Sequence, residues 1–316
     1  MGTVLTREEL EAAHCWEESD RASRPEMTDF RRSLRYHQSR WREQNGHPIG
    51  SHPISPRTGG VMRLVGSRLP LGYAKETGAN FLTPAALDAA TTRTSVKERH
   101  QSFDHQRLWA DLLSSTALSF NLFGDLASEV ELTDRAMHTW WSDTPGVARE
   151  VRFAHSPGRF DMDYLGNLSD LDVALLLDLG DGEKGIVGVD INYHKRIQRE
   201  LPKPSRLQRY IEIAERSGVF RKGAIDAVNG TDLLVMWLRH LLVLSMLQHP
   251  SGAWTWGRLV VVHLAGRTDF AETCDRYQDL LVDSTTYTSM TLEDLLDSGG
   301  LPVPVANAAR RRYIPD

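Results

Sequence analysis

Two short apolar runs joined by a tight turn constrain the fold of this chain more than any other feature. Residues 171–177 read LDVALLL and residues 185–193 read GIVGVDINY, and both have the length and composition of buried strands. The glycine-rich segment between them has a turn composition. Strands joined this closely pair as an antiparallel hairpin. The sequence therefore predicts a sheet built around this hairpin.

The predicted hairpin places two aspartates side by side. With the turn centred near Asp181, Asp172 lies opposite Asp190, and the Cβ atoms of such neighbours are about 4.5–5.5 Å apart. Strand alternation puts Asn192 and His194 on the face of Asp190. Two carboxylates within apolar strands repel each other, and a divalent cation is the simplest partner that makes the pair favourable. The alternative is a solvated pair near the strand ends.

The segments around the hairpin predict further helices and strands. Helices are predicted at 27–43, 103–132, 205–217, 231–247, 269–283 and 291–297, and strands at 149–153 and 258–264. Gly124 is expected to bend or divide the second of these helices, and residues 45–95 are expected to be irregular. The order predicts an α/β fold, a small mixed sheet with an antiparallel hairpin flanked by helices. A helical and irregular extension, residues 1–100, is expected to pack on a core of residues 101–316.

The cysteine count and the pattern of apolar residues predict the cellular compartment of the protein. The two cysteines, Cys15 and Cys274, are too few for a disulfide framework and form no CxxC motif, which fits a reducing cytoplasm. Residues 1–24 are polar and lack the apolar centre of a signal peptide. The most apolar run, 233–247, is interrupted by an arginine and a histidine and is shorter than the roughly 20 residues of a bilayer span. We therefore expect a cytoplasmic protein without a membrane span.

The net charge of −5 does not show whether the protein binds nucleic acid, because a basic groove can lie on an acidic body.

Five segments along the chain carry a resemblance to a known family. They are SSTALSFNLFG (114–124), FAHSPGR (153–159), YLGNLSDLDV (164–173), GVDINYH (188–194) and WLRHLLVLSMLQ (237–248). Together they resemble a family of bacterial restriction-endonuclease-like proteins within the PD-(D/E)XK nuclease superfamily. The resemblance implies a restriction-endonuclease-like core and a Mg²⁺-dependent DNA endonuclease, with Mn²⁺ as an alternative metal. It further implies a role in defence against foreign DNA.

The resemblance assigns roles to residues of the hairpin. Asp172 matches the first acidic metal ligand of the signature, Asp190 matches the second, and the backbone carbonyl of Ile191 is the expected third ligand. Asn192 stands where the signature has lysine, so it would position the attacking water without supplying positive charge. Lys195 is a nearby replacement for that lysine only if the strand ends or bulges there, because alternation points it to the opposite face.

Predicted DNA contacts and three departures from the family pattern, Asn192, Ala154 and Lys195 in place of an expected Glu, complete the assignment. Arg159, His194 and Lys195 are the predicted DNA contacts, with an ordinary surface arginine and a structural histidine as the alternatives for the first two. The resemblance implies DNA as a partner, a homodimer, and partner proteins of a defence system. Ala154 stands where the family has an acidic residue. Together with Asn192, it motivates a competing function, a catalytically degenerate nuclease fold that acts as a DNA-binding or scaffolding subunit.

Three polar residues in predicted helices have both a functional and a structural interpretation. Arg239 interrupts the apolar helix, and a buried arginine needs an anionic partner. That partner is a DNA phosphate, an active-site carboxylate or an internal salt bridge. Ser115 and Asn121 either contact the site or form local hydrogen bonds within the helical layer.

Overall fold

The predicted hairpin forms the centre of a five-stranded mixed sheet. The computed structural model describes residues 5–16, 28–52, 62–194, 202 and 204–315. The strands are β1 (Gly50–Ser51), β2 (Leu64–Val65), β3 (Val147–His155), β4 (Leu171–Gly180), β5 (Glu183–Asn192), β6 (Trp254–His263) and β7 (Tyr287–Thr291). β3, β4 and β5 are antiparallel neighbours, whereas β6 and β7 continue the sheet in parallel with β5. The predicted α/β fold with a small mixed sheet is therefore confirmed.

Helices cover both faces of this sheet. They are α1 (Arg7–Ala12), α2 (Asp29–Gln44), α3 (Leu71–Thr77), α4 (Pro84–Ser95), α5 (Ser115–Ser128), α6 (Val130–Trp140), α7 (Pro204–Ser217), α8 (Ala224–Val228), α9 (Leu234–Leu247), α10 (Thr268–Gln278), α11 (Leu292–Asp297) and α12 (Val303–Tyr313). Within the described ranges, no helix combines the length and the apolarity that a membrane crossing requires.

The turn of the hairpin determines its register. Asp181 and Gly182 join β4 to β5, and both have positive φ, 52° and 83°, as the tight two-residue hairpin turns with an Asp-Gly sequence do. The backbone pairing runs in step from Asp178 opposite Lys184 to Val173 opposite Val189. One further step in this register places residues 172 and 190 opposite each other, as the turn position predicted.

Strand alternation divides the core into two layers. Val173 and Val189 belong to the hydrophobic cluster that contains the buried residues of α5. Ala174, on the other face of β4, belongs to the cluster that contains the buried residues of α9. Asp172 and Asp190 alternate in step with Ala174, because side chains two residues apart share a face. The two aspartates therefore lie on the side of the sheet that α9 covers.

Several elements differ from the sequence prediction. The helix predicted at 103–132 is a π-helical turn (Gln106–Ala110) followed by α5 and α6, and the stretch predicted to be irregular contains α3 and α4. The buried residues of those two helices are alanines, Ala74, Ala86 and Ala90, which give little hydrophobic contrast and hence little periodicity. β7 and α12 were not predicted. The boundary at residue 100 stays a prediction, and residues on both sides of it share one core cluster.

Gly124 permits two helices to pack in direct contact. α5 continues through this position from Ser115 to Ser128, so the expectation that Gly124 divides the helix is wrong. A Cβ at Gly124 would lie 2.5 Å from the Cα of Ala86 in α4. Because Gly124 has no side chain, α4 and α5 can pack in direct contact.

Gly124→Ala is expected to destabilise the protein, although alanine favours helix by about 1 kcal/mol over glycine. The added methyl group meets backbone that must shift, and overpacking of this kind costs about 1–3 kcal/mol. Gly72→Ala in α3 is the matched control, because a Cβ there meets nothing within 4 Å, and it should be neutral or stabilising. Urea unfolding of both variants measures the difference, and equal effects would refute the packing argument.

Candidate active site

The two aspartates predicted as metal ligands lie together at the end of the hairpin opposite its turn. Backbone pairing between β4 and β5 ends at Val173 and Val189. Beyond that point, the backbone N–H of Ile191 donates to Oδ2 of Asp172 over 2.8 Å. Asp172 thus continues the link between the strands with its side chain. Asp190 is buried, with 8% of its surface exposed.

A largely buried arginine from α9 balances the charge of this pair. Nη1 of Arg239 lies 3.3 Å from Oδ1 of Asp190 and donates to the backbone carbonyl of Asp170 over 2.6 Å. Burial disfavours the charged guanidinium, but Asp190, Asp172 and Asp170 outweigh it and raise the pKa of Arg239 above its ordinary value. The anionic partner expected for Arg239 is therefore a carboxylate of the candidate site itself.

Asn192, which the family resemblance matches to the signature lysine, contacts a buried arginine. Nη1 of Arg267 donates to Oδ1 of Asn192 over 3.4 Å. The same guanidinium forms an ion pair with Asp269 through Nε at 2.8 Å and Nη2 at 3.1 Å, and Arg267 is only 2% exposed. A fixed positive charge therefore lies beside the residue that replaces the lysine.

Arg267 was not predicted as a site residue, because it lies 75 positions from Asn192 in the chain. One signal could have found it. β6 is parallel to β5, with His263 as the Cα partner of Asn192, and the ends of parallel neighbours meet at the same edge of a sheet. Residues that directly follow β6 are therefore candidates for the same site.

His194 is held in a basic and buried setting. Its backbone carbonyl accepts a hydrogen bond of 2.7 Å from Arg31 of α2. Its Nε2 is buried and has no hydrogen-bond partner among the residues that the structure describes. Burial, followed by the charges of Arg35 and Arg31, holds the pKa of His194 well below its ordinary value, so the ring is neutral at pH 7. A DNA contact by His194 stays a prediction.

Arg159 lies in an internal ion-pair network. Its side chain is 4% exposed, contacts Glu98 and lies 3.5 Å from Oδ2 of Asp170. It also donates to the carbonyl of Ala154 over 3.0 Å. A phosphate contact by Arg159 stays a prediction, and it would compete with these internal bonds. Lys195, the third predicted DNA contact, lies outside the described residues.

The two polar residues of α5 have different surroundings. Oγ of Ser115 accepts a hydrogen bond of 3.4 Å from the backbone of Tyr193, so the start of α5 abuts the end of β5 near the site. Asn121 accepts from the backbone of Leu82 at 2.7 Å and donates to the hydroxyl of Tyr313 at 2.6 Å. Asn121 therefore has the structural role, in which it joins the helical layers.

A family comparison agrees with this geometry. The family model described as the PD-(D/E)XK nuclease superfamily matches residues 19–315. The chain belongs to the PD-(D/E)XK nuclease superfamily. No match was found among curated proteins or among solved structures. The five-stranded mixed sheet with flanking helices is consistent with the fold of this superfamily.

The residues at the end of the hairpin suit a hard divalent cation. Within the described ranges, no group of three or more His, Cys, Asp and Glu side chains could hold a metal ion. The residues predicted as ligands offer instead two carboxylates, Asp172 and Asp190, and the carbonyl of Ile191. These are oxygen donors, and Mg²⁺ typically binds one or two protein carboxylates and keeps several waters. The set fits Mg²⁺ or Mn²⁺ and lacks the nitrogen and sulfur ligands typical of zinc sites.

Arg239→Gln is expected to lower the free energy of unfolding by about 3 kcal/mol, because the loss of one partner leaves a buried charge uncompensated. Millimolar Mg²⁺ should recover part of this loss, since a cation that binds only the folded state stabilises it. Arg276→Gln, which breaks an exposed pair with Asp232, should cost less than about 1 kcal/mol. Chemical denaturation with and without Mg²⁺ tests this, and equal losses in both variants would contradict it.

Proposed function

We propose that this chain is a Mg²⁺-dependent DNA endonuclease, able to use Mn²⁺, that hydrolyses phosphodiester bonds. The observation that carries the proposal is the opposition of Asp172 and Asp190 in a chain of the PD-(D/E)XK nuclease superfamily. Asp172, Asp190 and the carbonyl of Ile191 would hold the cation. When bound, the cation would lower the pKa of a water molecule and stabilise charge on the leaving oxygen.

The remaining residues of the site would orient the attacking water and balance the charge of the carboxylates. Oδ1 of Asn192 faces Arg267, which leaves its amide NH₂ to donate to the attacking water. An amide can orient this water but cannot take its proton. Arg267 provides the nearby positive charge that Asn192 lacks, and Arg239 holds Asp190 in place. A role in defence against foreign DNA is part of the same proposal, and it rests on the resemblance to restriction-endonuclease-like proteins.

The second candidate function is a degenerate nuclease fold that binds DNA or a partner protein without cutting. Two residues favour it. Asn192 replaces the signature lysine, and Ala154 replaces an expected acidic residue. The backbone carbonyl of Ala154 instead accepts hydrogen bonds from Arg93, Gln101 and Arg159. The assay below separates the two functions.

Supercoiled plasmid incubated with the purified protein should be nicked or linearised in Mg²⁺ or Mn²⁺ and left intact in EDTA. Asp172→Asn and Asp190→Asn should each reduce the rate at least about a hundredfold, because each removes a charged metal ligand. Asp178→Asn is the matched control, an exposed aspartate at the turn end of the same strand. Intact plasmid with folded wild-type protein would favour the degenerate function, and unchanged cleavage by both site variants would exclude this metal pair.

Arg267→Gln is expected to lower the cleavage rate about tenfold or more, since one well-placed charged group is worth several kcal/mol in a dry site. Asn192→Lys in the Arg267→Gln background should restore much of the rate, because it returns a positive charge to the signature position. Asp269→Asn, which keeps the guanidinium and removes its ion-pair partner, should lower the cleavage rate less than Arg267→Gln does. Single-turnover rates measure all three. A failure of lysine to rescue would show that Arg267 acts only through packing.

A further inference from the structure

A cavity of about 610 Å³ lies at the end of β3. Its walls come from the end of β3, from the loop that follows β3, and from the segment 98–100. The residues that matter here are His155, Ser156, Phe160 and Tyr164. This lining combines polar groups with aromatic rings, whereas the carboxylate pair lies outside it.

Two residues that line the cavity each carry a buried polar atom that lacks a hydrogen bond. Nδ1 of His155 and Oγ of Ser156 have no hydrogen-bond partner within the described part of the chain, and their residues are 5% and 7% exposed. Buried polar atoms are almost always hydrogen-bonded, so two adjacent exceptions need an explanation. Burial, followed by the charge of Arg152, lowers the pKa of His155 to about 4. The neutral ring therefore offers one donor and one acceptor nitrogen at pH 7.

An aromatic ring is held in a strained and exposed conformation at the same cavity. Phe160 has a φ of 58° and is 42% exposed, and positive φ is a genuine outlier for a bulky residue. Its N–H donates to the carbonyl of Asn167 over 2.8 Å. The guanidinium of Arg206 lies 5.2 Å from the ring centroid, and the ring of His100 packs edge-on at 5.1 Å. Such strain persists where surrounding contacts enforce it, and it clusters at ligand sites.

A short chain of contacts connects the cavity to the carboxylate pair. Arg159 lines the cavity and lies 3.5 Å from Oδ2 of Asp170. The backbone carbonyl of Asp170 accepts from Arg239, which lies 3.3 Å from Asp190. Successive nucleotides of a strand are about 3.4 Å apart along its axis. A strand with a phosphate at the carboxylate pair can therefore reach the cavity within a few nucleotides.

We propose that this cavity accepts one unstacked nucleobase of the bound nucleic acid. The base stacks on Phe160, and its polar edge lies against His155 and Ser156, as in proteins that read bases taken out of a helix. The cavity lining carries both signs of charge, with Glu98 and Asp161 beside Arg99, Arg152 and Arg159, so the aromatic ring rather than the charge favours a base over a phosphate group. The inference rests on the proposed function in one respect, that the ligand belongs to nucleic acid.

Isothermal titration with the four deoxynucleoside 5′-monophosphates, in EDTA, tests this pocket without metal or cleavage. At least one nucleotide should bind with one-to-one stoichiometry, and inorganic phosphate should not bind. Phe160→Gly should weaken the binding about tenfold through loss of stacking. Because glycine tolerates positive φ, this variant should unfold no more easily than the wild type. Ser156→Ala should weaken the binding about fivefold.

Leu168→Ala is the control, since Leu168 is 51% exposed in the same loop and does not line the cavity. It should bind the nucleotide as the wild type does. The proposal is overturned if no nucleotide binds to the folded wild type, if phosphate binds as tightly as the nucleotides, or if Phe160→Gly and Ser156→Ala bind normally. Plasmid cleavage without nucleotide binding would refute the base-binding cavity but not the proposed nuclease activity. Nucleotide binding without cleavage would refute the nuclease activity but not the base-binding cavity.

Discussion

The ion pair between Arg239 and Asp190 is the interaction on which the candidate active site depends. The hairpin brings Asp172 and Asp190 together on the face that α9 covers, where two carboxylates without a cation would be costly. Arg239 supplies a positive charge from within the apolar helix and also bonds to the carbonyl of Asp170. The same contact therefore joins α9 to the hairpin and keeps the carboxylate pair compatible with a buried position.

Positive charge near the signature is redistributed rather than lost. The lysine position holds Asn192, but the guanidinium of Arg267 reaches it from the segment that follows β6. Parallel pairing of β5 and β6 makes this possible, because it brings the ends of the two strands to one edge of the sheet. The guanidinium that pairs with Asp269 therefore also lies within hydrogen-bond distance of Asn192.

The segments before residue 100 help to shape the end of β3. Arg93 bonds to the carbonyls of Phe153 and Ala154, and Glu98 pairs with both Arg93 and Arg159. These contacts hold Ala154 at a φ of 46°, in a region that few residues other than glycine adopt. The chain then turns and directs His155 and Ser156 toward the cavity. The N-terminal part of the chain thus contributes to the surroundings of the site as well as to the core.

The sequence by itself determined the hairpin, its register and the opposed aspartates, because strand composition, the Asp-Gly turn and alternation are local properties. It also showed that Arg239 needs an anionic partner. Only the tertiary structure decided that this partner is Asp190, that Arg267 contacts Asn192, and that Arg159 is buried. Those contacts join residues far apart in the chain, and a side chain's type specifies the kind of partner it needs but not the position of that partner.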